Sequence, residues 1–227
     1  SDRRVTYEQV DAFLENPAPY KRAWGTKVHD LLLRMRDLAR ILRQRRRDRG
    51  ALELVMPEIK VDLDRRGQVV GAHLVPNTES HQMIEEFMLA ANESVAETLR
   101  DKGWLFLRRI HKAPTARKLR QLQDFVEALD FPPRDLEDRF GLQSLLELAT
   151  GKPQQYAVHY AVLRSLQRAI YSPIEEGHYA LASECYCHFT SPIRRYPDLT
   201  IHRLVDALLL NFNPRINPAE LATLGEH

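Results

Sequence analysis

Cys187-His188-Phe189-Thr190-Ser191-Pro192-Ile193-Arg194-Arg195-Tyr196-Pro197-Asp198-Leu199, followed by Ile201-His202-Arg203, is the most informative stretch of this 227-residue chain. Ser191-Pro192 has the form of a helix start, with Ser as N-cap and Pro at the first helical position. Two adjacent guanidinium groups, Arg194 and Arg195, come directly after it. Beside the unpaired N–H groups of a helix N-terminus, such a pair makes a receptor for an anion such as a phosphate. An ordinary capped surface helix with solvated arginines fits the same local pattern equally well. Pro197 refines the expectation, because a second proline so soon interrupts a regular helix. A short turn carrying the arginines, with the regular helix beginning near Pro197, is therefore expected.

Outward from this stretch, composition sets the class. Hydrophobic residues make up 44% of the chain and charged residues 28%, the balance of a globular protein rather than a disordered one. The net charge of +2 alone indicates no polyanion partner, but 26 of the 33 basic residues are Arg and 7 are Lys. That bias suits bidentate phosphate contacts, and high-GC coding or thermal adaptation produces it too. Cys185 and Cys187 are too close in sequence for a disulfide and too few for a zinc site, so buried thiols of a reducing compartment are expected. No apolar run approaches membrane-spanning length and the N-terminus has no apolar signal region, which points to a cytoplasmic protein. The abrupt opening at Ser1, without an initiator Met, is expected to mark a fragment.

Thr6-Tyr7-Glu8-Gln9 is a capping box opening a helix through about Glu15. Apolar spacing through Val28, Leu31, Leu32, Met35, Leu38, Ala39 and Leu42 predicts one long helix from about Tyr20 to Arg47. Its arginine-crowded end, Arg34 to Arg49, complements the helix dipole and could also line a polyanion groove; a solvated face is the plainer reading. Gly50 stops it. Alternation on either side of Asp64-Arg65-Arg66-Gly67 predicts a β-hairpin, whose Asp62 and Asp64 read as polar-face residues rather than metal ligands. A second long helix opens at Asn77-Thr78-Glu79-Ser80 and runs to about Leu99. Within it Glu85 and Glu86 sit beside the apolar stripe, as surface charges or with one turned inward. Trp104 to Ile110 is strand-like. Helices are then expected over about Thr115–Leu129, Arg134–Ala149 and Pro153–Tyr171, and from the arginine motif to about Leu210.

Several stretches taken together resemble the bacterial ribonuclease R and ribonuclease II family, whose catalytic region is the RNB domain. They are Gly177-His178-Tyr179-Ala180-Leu181, the Phe189-Thr190-Ser191-Pro192-Ile193-Arg194-Arg195-Tyr196 string with His202-Arg203, Ile84 to Asn92, Arg109-Ile110-His111, Arg164 with Ala169-Ile170-Tyr171, and Arg49-Gly50-Ala51-Leu52. The resemblance implies a processive, magnesium-dependent 3′→5′ exoribonuclease that threads single-stranded RNA into a channel and releases nucleoside monophosphates. It makes Arg194 the arginine that holds the scissile phosphate, and Arg195, Ser191 and Thr190 supporting phosphate and channel-wall contacts. Glu86 becomes the acceptor for a ribose 2′-hydroxyl, and Arg109 and His111 further RNA contacts. Leu54 stands where many relatives carry a base-stacking Phe, so a softer grip on the last nucleotide is expected.

The chain departs from the family pattern in lacking the dense aspartate cluster that binds the metal. Its expected share is no metal ligand, with magnesium held by a missing N-terminal half of the catalytic domain that also carries OB-type domains. The fold class expected is α+β: a mainly helical half-domain over residues 1–212, with a few antiparallel strands that complete a sheet with the missing half. Residues 213–227 then form a tail leading toward an S1-type domain. The full enzyme is expected to be monomeric, with single-stranded RNA as partner and no membrane. A catalytically inactive RNA-binding protein and a structural subunit are the alternatives.

Overall fold

The computed structural model describes residues 3–56, 58–214 and 216–226. Two compact units emerge, one of Ser1–Arg45 with Met56–Phe87 and one of Arg46–Val55 with Met88–His227. The class is α+β, mainly helical with short antiparallel strands, as expected. No helix among the described residues is long and apolar enough to cross a membrane.

The first unit begins with α1 (Tyr7–Glu15), closed by the reciprocal capping box of Thr6 and Gln9. The single long helix expected next is two, α2 (Ala18–Trp24) and α3 (Thr26–Asp48). Gly25 separates them at φ 79°, a left-handed conformation that glycine adopts without a Cβ clash. The apolar periodicity continues through that break, so periodicity alone did not reveal it. Val10, Phe13, Leu32, Ala39 and Met83 form the core, while Leu31 and Leu38 of the expected stripe stay exposed.

The arginine-rich end of α3 resolves into ion pairs rather than a bare groove. Arg36 bonds Asp37 and Arg40 bonds Glu79, both in the first unit; in the second, Arg46 bonds Glu53, Arg47 bonds Glu147 and Arg49 bonds Glu93. Strands β1 (Glu58–Leu63) and β2 (Val69–Val75) form the expected hairpin. Asp64 accepts from the Arg66 and Gln68 N–H groups and so shapes the turn, while Asp62 pairs with His73. Helix α4 (Glu79–Asp101) starts in the first unit and continues through the second.

In the second unit β3 (Arg108–Ile110) pairs antiparallel with β4 (Ile170–Ser172). Between them lie α5 (Ala116–Glu127), α6 (Arg139–Ala149) and α7 (Gln155–Ser165). Two expected boundaries move. Residues 134–138 are not helical, because the Asp135 carboxylate accepts from the Glu137 and Asp138 N–H groups and Asp138 caps α6. Helix α7 stops at Ser165 with Leu166 extended, and Ile170 and Tyr171, expected at the end of that helix, open the strand β4. β-branched and aromatic residues pair readily once a partner strand exists, which a local pattern cannot announce.

Leucines of α5 and α6 with Val158 and Val162 of α7 form one core. The second contains Ala96 and Leu99 of α4, Phe106, Cys185, Cys187 and Ile201 of α8 (Tyr196–Leu209). Both cysteines are free and buried, as expected. The chain closes with α9 (Pro218–Glu226), which packs on β4.

Candidate functional site

The motif strand is held in place by one amide. Asn92, 3% exposed on α4, accepts with Oδ1 from the N–H groups of Phe189 (2.9 Å) and Thr190 (3.2 Å) and donates its Nδ2 to the Tyr186 hydroxyl (2.9 Å). Farther along, His202 Nε2 lies 2.9 Å from the Phe189 carbonyl and its ring stacks on Phe189. The Phe189 carbonyl can only accept, so the His202 Nε2–H donates this bond.

The refined expectation for the arginines is met. Pro192 to Arg194 form a turn in which the Arg194 and Arg195 N–H groups reach back to the Ser191 carbonyl, and regular helix begins at Tyr196 with Pro197 in its first turn. Ser191 is not the helix cap; Arg195 holds that position without a capping side chain. The anchor is Asp198, fully buried, whose Oδ1 accepts both from the Ser191 N–H and from Arg195 at 2.7 Å. Arg195 Nε and Asp198 Oδ2 are buried without a partner among the described residues, so the contact is a single charge-assisted bond rather than a two-bond fork.

Arg194 differs from its neighbour. It is exposed and makes no side-chain hydrogen bond or ion pair with a described residue. Nearby, the Tyr171 hydroxyl bonds His188 Nδ1 (2.7 Å), and Arg109 lies over the Tyr171 ring, 4.5 Å from its centroid. Both rings lie in the field of Arg109, Arg194 and Arg195. The turn, the β3 strand and the motif thus gather three guanidinium groups around one half-buried Tyr–His pair. Burial, reinforced by Arg195, pushes His188 down to about 4, so it is neutral at physiological pH and adds no charge.

The remaining candidates sit as follows. Thr190 and Ser191 are half-buried, with their main-chain N–H groups bound to Asn92 and Asp198. His111 is buried, with Nε2 against the Gln167 carbonyl (2.8 Å) and Nδ1 accepting from the Ala180 N–H (3.3 Å). Both nitrogens are committed to the main chain, and only its ring is left for a ligand. Leu54 is half-buried against the α5–α7 core. Glu86 is 4% exposed on the part of α4 within the first unit, whereas Glu85 is exposed, so Glu86 is the inward-turned acid of the pair.

Two-ion phosphodiester chemistry needs several converging carboxylates. Among the described residues no group of three or more His, Cys, Asp or Glu side chains could hold a metal ion. Asp198, the deepest acid in the site, is already committed to Arg195 and Ser191. The residues here do not fit a magnesium ion, and no chemical step is assigned through one.

The buried histidines carry a stability prediction. Burial, with His111 alongside, pushes His178 down to about 3. For His178 and His188 the folded state binds its proton later than the unfolded chain, whose ordinary value is about 6.5. Their contribution is therefore complete above pH about 6.5 and declines as pH falls toward about 4 for His188 and about 3 for His178. Each group adds a slope of up to about 1.4 kcal/mol per pH unit. Urea midpoints measured across this range should fall steadily below pH about 6.5, and a flat profile would contradict the burial of both rings.

The site joins a cationic turn to a buried carboxylate in an α+β fold, and the comparisons place that fold in a family. A family model described as RNB domain matches residues 1–211, and the chain belongs to that family. Ribonuclease R of Thermotoga maritima is 41% identical over 226 residues, covering 97% of this chain and 31% of that protein. The solved structure of Mycoplasma genitalium RNase R in complex with ribose methylated single-stranded RNA matches with a TM-score of 0.89 at 27% identity, over 98% of this chain and 36% of that one. Yeast Ssd1, a pseudonuclease, shares the fold, with a TM-score of 0.68 at 22% identity over 98% of this chain and 27% of that one. The chain spans about a third of the length of the curated relatives it matches.

Asn92, Asp198, His202 and the Tyr171–His188 pair lay inside motifs already singled out, yet none received a role. What identifies them is a specific side-chain hydrogen bond to a distant part of the chain or to the motif backbone, a signal that sequence spacing does not carry.

Proposed function

We propose that the chain supplies the phosphate-holding half of a magnesium-dependent 3′→5′ exoribonuclease acting on single-stranded RNA. The observation that carries this reading is the gathering of Arg109, Arg194 and Arg195 about Tyr171 and His188, in which Asp198 takes Arg195 and Arg194 has no side-chain hydrogen bond or ion pair with a described residue. A guanidinium carried on a hydrogen-bonded turn, with no partner among the described residues, suits charge that develops on a scissile phosphate. Arg195, Thr190 and Ser191 line the path beside it, with Arg109, His111 and Leu54 as further RNA contacts. Glu86 accepts from a ribose 2′-hydroxyl, the group that separates RNA from DNA. The metal-binding carboxylates, together with OB-type and S1-type domains, come from outside these residues. The fold likeness to a pseudonuclease supports a second reading, an RNA-binding protein without catalysis.

Titration with a labelled oligoribonucleotide and its DNA counterpart tests the RNA-handling core. Arg194→Gln with Arg195→Gln should weaken RNA binding by about tenfold, since the two changes remove two cations while the amide introduced by the second keeps a donor for Asp198. Glu86→Gln should narrow the RNA-to-DNA preference. Wild-type affinity in the double variant would instead assign the chain a structural role.

A further inference from the structure

The second unit carries a further set of exposed cations and aromatic rings on α5 and α7. No Asp or Glu occurs between Glu147 and Glu175, and none between Asp101 and Asp124, although 31 acids are spread over the chain. The first tract contains α7 and the second leads into α5, and these two helices pack on each other. Their contact brings the start of α5 to the end of α7, where Lys118 Nζ donates to the Arg164 carbonyl at 3.4 Å. Arg117, Lys118 and Arg120 on α5 are exposed, as are Arg164 and Arg168 at and beyond the end of α7. None of these five has a carboxylate partner among the described residues.

The other feature is apolar. Helix α7 buries Val158 and Val162 on one side and yet exposes Tyr156 and Tyr160, each 53%, on the other. With Arg164 they follow an i, i+4, i+8 line, a single helix face about 12 Å long. The Tyr hydroxyls bond no described residue. Asp124 and Glu127 are exposed at the far end of α5, but the start of α5 and all of α7 carry no acid. Exposed tyrosines beside cations without a carboxylate partner among the described residues match what a single-stranded polyanion with stackable bases requires: charge along the backbone and flat rings for the bases.

We propose that the α5–α7 face is a second docking surface for single-stranded RNA, distinct from the arginine turn. Arg117, Lys118, Arg120, Arg164 and Arg168 would engage phosphates and Tyr156 and Tyr160 would stack bases. The proposal rests on the RNA-handling reading above only in choosing RNA over other polyanions.

The test is titration of the full chain with a fluorescent oligouridylate over a range of salt concentrations. Arg117→Gln, Arg164→Gln and Arg168→Gln combined should weaken binding by at least about tenfold and lower the slope of log affinity against log salt by about 2. Tyr156→Ala with Tyr160→Ala should weaken binding by roughly tenfold or more with an unchanged slope. All five substitutions are at exposed positions, so thermal midpoints should stay near wild type and binding losses cannot be assigned to unfolding. Unchanged affinity and slope in both variants overturns the proposal and leaves the face to a protein partner. The Arg194→Gln, Arg195→Gln variant separates the two readings. Loss there with none at α5–α7 sinks only this proposal, and the reverse sinks only the phosphate role of the turn.

Discussion

Replacing Arg194 by alanine, in an enzyme that carries both halves of the catalytic domain, should lower the turnover of single-stranded RNA by about 10²–10³-fold, with RNA affinity changed only a few fold. The asymmetry follows from geometry. Arg194 is exposed, sits on a turn fixed through Ser191, and makes no side-chain hydrogen bond to a described residue, so its charge is free for a ligand. Ground-state affinity is spread over many contacts along the strand, and one guanidinium is a small share of it. Charge that grows on a single phosphate during bond breaking is concentrated where a preorganised donor counts most. Single-turnover rates alongside equilibrium binding separate the two quantities. A loss of affinity matching the loss of rate would mean that Arg194 only binds.

Asp198→Ala should cause the largest loss of stability, about 3–5 kcal/mol. The carboxylate is fully buried and answers two donors at once, the Ser191 N–H and the Arg195 guanidinium, both at 2.7 Å. Removing it leaves a buried N–H unsatisfied and strands a charge whose side chain is only 22% exposed. The turn that carries Arg194 would lose its tie to α8, so turnover should fall as well. Asp198→Asn keeps an acceptor for Ser191 while losing the ion pair, and should cost less than half as much. Chemical denaturation of the three proteins reads this order directly. Equal losses for Asn and Ala would show that charge, not the acceptor, is what holds the turn.

How much of this was legible in the sequence varies by residue. Thr6 and Gln9 announced α1 because a capping box is a local bond pattern, and Asp64 with Gly67 announced the hairpin for the same reason. Pro197 correctly placed the start of α8, since proline restricts its own neighbourhood. Gly25 was passed over because an apolar stripe can continue across a break that only φ records. The strand at Ile170–Ser172 was missed because its partner, Arg108–Ile110, lies some sixty residues earlier. In the site, the arginines were visible as charge, but their sorting was not. Nothing in the local sequence says that Asp198 takes Arg195 and leaves Arg194 free. Nor does spacing reveal that His111 commits both nitrogens to the main chain.

The account is tested most directly by incubating this chain with end-labelled single-stranded RNA and magnesium, alone and together with the aspartate-bearing segment of its catalytic domain. Alone, it should leave the RNA intact, because its described acids do not assemble a metal site. With the segment supplied, the RNA should shorten from its 3′ end to nucleoside monophosphates. Degradation by the chain alone, abolished by chelation, would contradict the division of the site into a phosphate-holding half and a metal-holding half.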